Sequence, residues 1–206
     1  MKTIATVAAA LFACTTDTSN EPQPGTGTDP TDPVVVDGAK RVFVTSTVYQ
    51  GGLLGGLDGA DAKCGERATA AGLTGTYKAW LSTDAAAARD RLTHSMDPYT
   101  LVDGQTQIAG DWDELVSGAH VNAIDRDESG KPVTGEETCA VVGGLIPAWT
   151  GTEYDGSHAA DYDCGGWTAL QRNGLAGNIL ATTSKWTSSL CAPSCTSSAA
   201  LYCIEQ

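Results

Sequence analysis

The sequence predicts one disulfide-stabilised α+β domain carried behind an export leader. Three observations lead there. A strand-like segment, an alanine-faced helical segment and a second strand-like segment follow one another between residues 41 and 81. A further apolar segment, Ala199 to Ile204, closes the chain. Of seven cysteines, Cys14 ends an apolar leader and the other six lie beyond residue 60, an even set that reads as three bridges in an exported chain.

The elements follow in order. Arg41 to Tyr49 is rich in β-branched and aromatic residues and reads as the opening strand. Gly51-Gly52-Leu53-Leu54-Gly55-Gly56 breaks it. Asp58 is placed to cap a helix whose Ala60, Cys64, Ala68 and Ala71 share one face, with Gly72 as its stop. Tyr77 to Leu81 reads as a second strand. Ser82 or Thr83 is placed to cap a short helix through Ala85 to Leu92. Tyr99 to Val102 reads as a strand ending at the Asp103-Gly104 turn, and Asp111 to Val116 as one or two helical turns. Residues 149–198 hold many Gly, Ser, Thr and Asn with isolated apolar positions, a loop region that needs cross-links or ions to stay folded.

The leader predicts the compartment. Lys2, the apolar run Ile4 to Ala13 and a small residue at the cut fit a secretory signal over residues 1–13. Its length is far below the roughly 20 residues that span a bilayer. Leu11-Phe12-Ala13-Cys14 resembles a bacterial lipoprotein box, which implies lipidation of Cys14 and durable membrane attachment. An ordinary secretory signal with an incidental cysteine is the alternative. Residues 14–38 form a Pro-, Gly-, Thr- and Asp-rich linker that cannot bury enough apolar surface to fold; it would average about 25–30 Å of reach. Residues 39–206 form the domain. With 25 acidic against 12 basic residues, a formal net charge of −13, the composition argues against phosphate-backbone binding.

Spacing alone does not choose among the fifteen pairings of Cys64, Cys139, Cys164, Cys191, Cys195 and Cys203. A strand, a helix carrying one cysteine, a strand, a second helix, a long loop region and a terminal strand carrying the last cysteine resemble a C-type lectin-like domain. Seven segments are similar to the leptospiral endostatin-like lipoprotein family. They are Phe43-Val44-Thr45-Ser46-Thr47, Gly56 to Cys64, Lys78-Ala79-Trp80-Leu81-Ser82, Arg91-Leu92-Thr93-His94-Ser95, Trp149-Thr150-Gly151-Thr152, Cys164-Gly165-Gly166-Trp167-Thr168 and Leu201-Tyr202-Cys203. Together they span about residues 41–206. The resemblance implies bonds Cys64–Cys203 and Cys164–Cys195, leaving Cys139 with Cys191; if Cys191 pairs with Cys164 instead, the last two assignments exchange. It also implies adhesion, since some members of the family bind extracellular-matrix proteins or complement regulators.

Candidate chemistry is sparse. Asp125, Asp127, Ser129, Gly130 and Glu136 fit the register of a calcium loop, with oxygens at positions 1, 3, 5 and 12 and glycine at 6. Pro132 and the absence of flanking helical patterns favour an acidic turn between strands. No cofactor is required; calcium is the one the sequence puts forward. The triplets that C-type lectins use for calcium-dependent sugar binding are missing, with Trp167-Thr168 and Trp186-Thr187 in their place. Trp149, Trp167 and Trp186 lie in or beside the loop region; each is a core residue first and a ligand-stacking candidate second. His94, His120 and His158 are scattered, and no serine elbow or zinc motif occurs; Ser157-His158 with Asp155 or Asp161 is a poor triad because sequence neighbours rarely build one.

The sequence thus predicts a lipid-anchored binding module at the bacterial outer membrane or cell surface, for an extracellular protein or glycan ligand and not nucleic acid. The rivals are an exported hydrolase with a carboxylate or calcium-assisted site, and a structural envelope protein without a soluble ligand.

Overall fold

The computed structural model describes residues 38–135, 138–139 and 146–206. The signal segment, Cys14, the linker up to residue 37 and Glu136 lie outside them. The described chain is a mixed α+β domain organised about its last strand. In chain order the strands are β1 (Lys40–Val44), β2 (Tyr49–Gln50), β3 (Tyr77–Ala79), β4 (Tyr99–Leu101), β5 (Gln107–Ala109), β6 (Pro147–Trp149), β7 (Ala176–Asn178) and β8 (Ser198–Glu205). Helices α1 (Gly56–Ala70), α2 (Ala88–Arg91) and α3 (Trp112–Ser117) intervene.

Strand β8 pairs antiparallel with β1, β2 and β3 and parallel with β6, giving a curled sheet of order β5-β4-β1-β8-β6-β7. Its alternation explains this position. Ala199, Leu201 and Cys203 enter one core with Phe43, Ala60, Cys64, Trp149 and Trp167. Ala200, Tyr202 and Ile204 enter a second with Val42, Val44, Trp80, Trp112 and Trp186. A strand that is apolar at every position from 199 to 204 has to be covered on both faces, because successive side chains point to opposite sides.

Local readings hold where the signal is local. The face Ala60, Cys64, Ala68 of α1 is buried, and the helix stops at Ala71 and Gly72 as predicted. Asp58 does not cap it: Gly55 is the N-cap, and Asp58 sits in the first turn, where a carboxylate still favours the positive end of the helix dipole. Asp111 caps α3 by accepting the Glu114 N–H at 2.8 Å. Helix α2 is shorter than the predicted 85–92 segment, but the Ser82 hydroxyl does serve its start, accepting the Ala88 N–H at 2.8 Å. The opening strand ends at Val44, and Thr45 prolongs its pairing through both its N–H and its hydroxyl to Leu201.

Three disulfides join Cys64 to Cys203, Cys139 to Cys191 and Cys164 to Cys195, the pairing that the family resemblance implied. Such bonds persist in oxidising compartments, so the domain matures outside a reducing cytosol. Among the described residues, no helix is long and apolar enough to cross a membrane. Cys164 to Trp167 form a left-handed turn with φ of 52°, 60°, 66° and 63°. Gly165 and Gly166 adopt it freely; Cys164 and Trp167 do not, and are held by the Cys195 bridge and by the Trp167 indole N–H on Ser82 O at 2.8 Å.

Strand β7 passes so close to Ser184–Trp186, a single 3₁₀ turn, that a Cβ on Gly177 would lie 1.7 Å from the Trp186 carbonyl oxygen. Because the obstruction is backbone, Gly177→Ala is expected to destabilise by about 3 kcal/mol. Urea unfolding checks this; a loss within a few tenths of wild type would show that the two segments are not in contact.

Candidate functional site

The loop region reaches the surface beside α2 and α3, and there it forms an open cleft of about 480 Å³. Arg89 and Asp90 come from α2, His94 from the segment after it, Trp112, Asp113, Val116 and Ser117 from α3, and Tyr154 and Asp155 from the loop.

The loop side is a tight turn. Glu153 N–H donates to Ser157 O at 2.8 Å, and Asp155 Oδ1 accepts from the Ser157 N–H and hydroxyl at 3.0 and 2.5 Å. These two bonds, the side-chain one foremost, hold the Asp155 carboxyl below the usual range, with Arg89 adding to the effect and burial opposing it. Arg89 docks the turn to α2: its Nη1 lies 3.2 Å from Asp155 O and 3.3 Å from Asp155 Oδ2, while its Nε lies 3.7 Å from Asp90. The loop leaves Tyr154 with 65 % of its surface exposed.

The opposite wall is rigid because it continues into the core. His94 stacks on Trp112 with centroids 4.4 Å apart and planes at 13°. The His94 Nε2 carries the proton, since it faces the Arg89 carbonyl oxygen at 2.7 Å, which can only accept. Trp112 packs on Trp80 at 5.8 Å, Trp80 on Trp186 at 4.8 Å, and Trp186 on Tyr202 at 5.3 Å. His120 completes this stack against Trp186, and burial lowers its pKa.

The predicted site residues fall elsewhere. Trp149, Trp167 and Trp186 are 0, 0 and 1 % exposed, so the stacking role put forward for them is corrected to core packing. Two of them also fasten strands and loops through their indole N–H groups, Trp149 to Tyr49 O and Trp167 to Ser82 O, each at 2.8 Å.

The stretch proposed as a calcium loop folds as a docked hairpin over residues 125–133. Asp127 Oδ1 accepts the N–H groups of Ser129 and Lys131 at 2.8 and 2.9 Å, Asp125 pairs with Arg126 at 2.8 Å, and Arg126 bridges to Pro132. Glu128 turns inward, to Ser46 and Arg67. Those contacts are those of the acidic-turn reading; the position-12 carboxylate, Glu136, is outside the described residues. Among the described residues, no three His, Cys, Asp or Glu side chains come together as a metal-ligand set. Ser157 directs its hydroxyl to Asp155 and not to His158, whose Nε2 lies 3.2 Å from Asp163 without hydrogen-bond alignment.

The cleft residues had little sequence signal. Arg89, Trp112 and Tyr154 are far apart in the chain; the helical segments that carry the first two were legible, but nothing local brings them to Tyr154. Comparison with protein-family models and with curated proteins finds no match to this chain.

Proposed function

We propose that this chain is a bacterial envelope lipoprotein, lipidated at Cys14, whose C-type lectin-like domain is an extracellular binding module for a protein or glycan ligand. The observation that carries the reading is the cleft at Arg89, Trp112 and Tyr154: it leaves a large aromatic ring exposed beside charged groups held in place by their neighbours. Charged side chains already fixed by their partners suit a recognition site, because little of their ordering entropy remains to be lost on binding. The fold reading is supported by the Cys64–Cys203 bond between α1 and the terminal strand and by a loop region cross-linked by Cys164–Cys195.

The test is binding of the full chain in detergent to protein and glycan arrays. A ligand bound at micromolar concentration, and lost in Tyr154→Ala without a change in melting temperature, is the expected result. No ligand on either array would refute the module. One observation favours a hydrolase as the second reading, namely that Asp90, Asp113 and Asp155 all line the cleft. Turnover of a bound glycan, abolished by Asp113→Asn, would establish that reading instead.

A further inference from the structure

We infer that His120 is a positioning residue for the cleft: in its neutral form it holds the α3 wall in place, and a proton added to its ring releases that wall in mild acid. The device sits behind the cleft and does not depend on which ligand the cleft takes.

His120 ties three segments together. Its Nε2 donates to Leu115 O, a carbonyl of α3, at 2.9 Å. Its backbone N–H donates to Thr182 O at 3.0 Å, and its ring centroid lies 4.7 Å from that of Trp186. The next residue, Val121, donates its N–H to Ile108 O of β5 at 2.9 Å. Little slack is left between them: at Gly118, the left-handed C-cap of α3, an added Cβ would lie 2.7 Å from Ser184 Cα. Helix α3 has six residues, too few to be stable by itself, and no cysteine between residues 65 and 138 cross-links it. Its place, and with it that of Trp112, Asp113, Val116 and Ser117 in the cleft, depends on those packing contacts.

These contacts fix one protonation state. A carbonyl oxygen only accepts, so Nε2 carries the hydrogen and Nδ1 is left as a bare acceptor. His120 is buried, and Nδ1 has no hydrogen-bond partner among the described residues; nor have the Trp186 indole N–H and the Tyr202 hydroxyl in the same core. Protonation would place a second N–H and a full charge where no acceptor stands, and an unpaired buried charge is costly. The ionisable groups of the packed elements do not offer one. Glu114 of α3 favours the charged ring, but its Oε2 accepts the Gly110 N–H at 2.6 Å, and Asp113 lines the cleft. The Ser184–Trp186 turn carries Lys185, which is exposed, and β5 carries no ionisable residue. Tyr202 of β8 stays neutral, because burial raises its pKa. Burial of His120 outweighs the Leu115 bond and Glu114, and holds its pKa below the ordinary imidazole value.

The sign follows. A folded value below the unfolded one means that this contribution to stability is whole above about pH 6.5 and is lost as pH falls below it toward the folded value. The loss is local first. Strand β8 is held by four other strands and by the Cys64–Cys203 bond, whereas α3 and residues 118–121 hang on His120 and its neighbours, and the least supported segment opens before the rest.

The experiment is amide hydrogen exchange of the full chain in detergent at pH 7 and pH 5, corrected for the intrinsic pH dependence of exchange, with the histidine ring signals followed by NMR. Amides of residues 112–121 are expected to lose about tenfold or more in protection at pH 5 while those of β8 keep theirs, and the change should follow the titration of His120. His120→Gln can still donate to Leu115 O but takes up no proton, so its protection over 112–121 should be the same at both pH values. An acid response that persists in His120→Gln and disappears in His94→Gln would assign the proton to His94 and overturn the proposal. Loss of protection in α3 and β8 together would show global unfolding and overturn it as well. Should His120→Gln fail to fold, the wild type still decides: protection over 112–121 that does not change with pH, or a His120 ring that titrates at or above the ordinary value, overturns the proposal.

Discussion

Replacing Cys64 and Cys203 together by alanine is expected to remove about 5 kcal/mol of stability in the chain-entropy account of cross-links. The bond closes a loop of 139 residues between α1 and β8, and both sulfurs are fully buried. In the unfolded chain the bridge holds nearly the whole domain in one loop, so its loss frees the most conformational entropy of the three. It also acts at a junction: Cys203 lies opposite Phe43 on one neighbouring strand and Ala79 on another. Total stability of a domain is only about 5–15 kcal/mol, so the variant should be close to unfolded at neutral pH. Cys139 to Cys191 and Cys164 to Cys195 close loops of 52 and 31 residues, and removing either should cost about 1 kcal/mol less. Urea unfolding of the three double variants ranks them. Equal or reversed order would show that native-state geometry, not loop length, sets their contribution.

Arg67→Met is expected to cost about 3 kcal/mol at neutral pH, because it strands a charge. The Glu128 side chain is 1 % exposed. It accepts from the Ser46 N–H and hydroxyl at 2.9 and 2.5 Å, from Arg67 Nε at 2.8 Å, and from Arg67 Nη2. Burial raises the pKa of this carboxyl, yet the hydrogen bonds from Ser46 and then Arg67 outweigh it and hold the value below normal. A folded value below the unfolded one means that the contribution is complete above the ordinary carboxylate range, near 4.3, and is lost as pH falls through the folded value. Without the guanidinium, burial gains weight and Glu128 takes up a proton at higher pH. The gap in melting temperature between variant and wild type should therefore be widest near pH 7 and narrow toward pH 4. A gap of constant size would mean that Arg67 acts through the packing of its stem alone.

The reach of the sequence differs from element to element, and the reason is the range of the interaction that decides each one. Helix α1 was legible because three buried positions spaced by four, and the glycine after them, lie within fifteen residues of each other. Asp111 announced α3 because a cap bonds a backbone N–H only three positions on. Strand β8 was legible as a run apolar on both faces. Strands β5, β6 and β7 were not, since each has three residues and exists only because a distant partner supplies its ladder. Asp58 shows the limit of a local rule: the helix begins two residues before it, at Gly56, where left-handed glycine backbone ends the preceding turn.

The cleft lies at the far end of that scale. An acidic run such as Asp125 to Glu128 has the composition of an ion site, and only the docking of its hairpin directs Glu128 to Arg67 and Asp127 to its own turn. Tryptophans in a polar loop region read equally as platform or core, and the sheet decides, because β6 carries Trp149 inward. By itself the sequence determined which cysteines belong to the domain, the helix and strand that carry Cys64 and Cys203, and an acidic net charge, all properties of composition and of neighbours in the chain. Tertiary structure alone decided which aromatic ring meets solvent and which charges meet each other, because burial and ion pairing depend on segments separated by tens of residues, and no local pattern encodes where those segments come to rest.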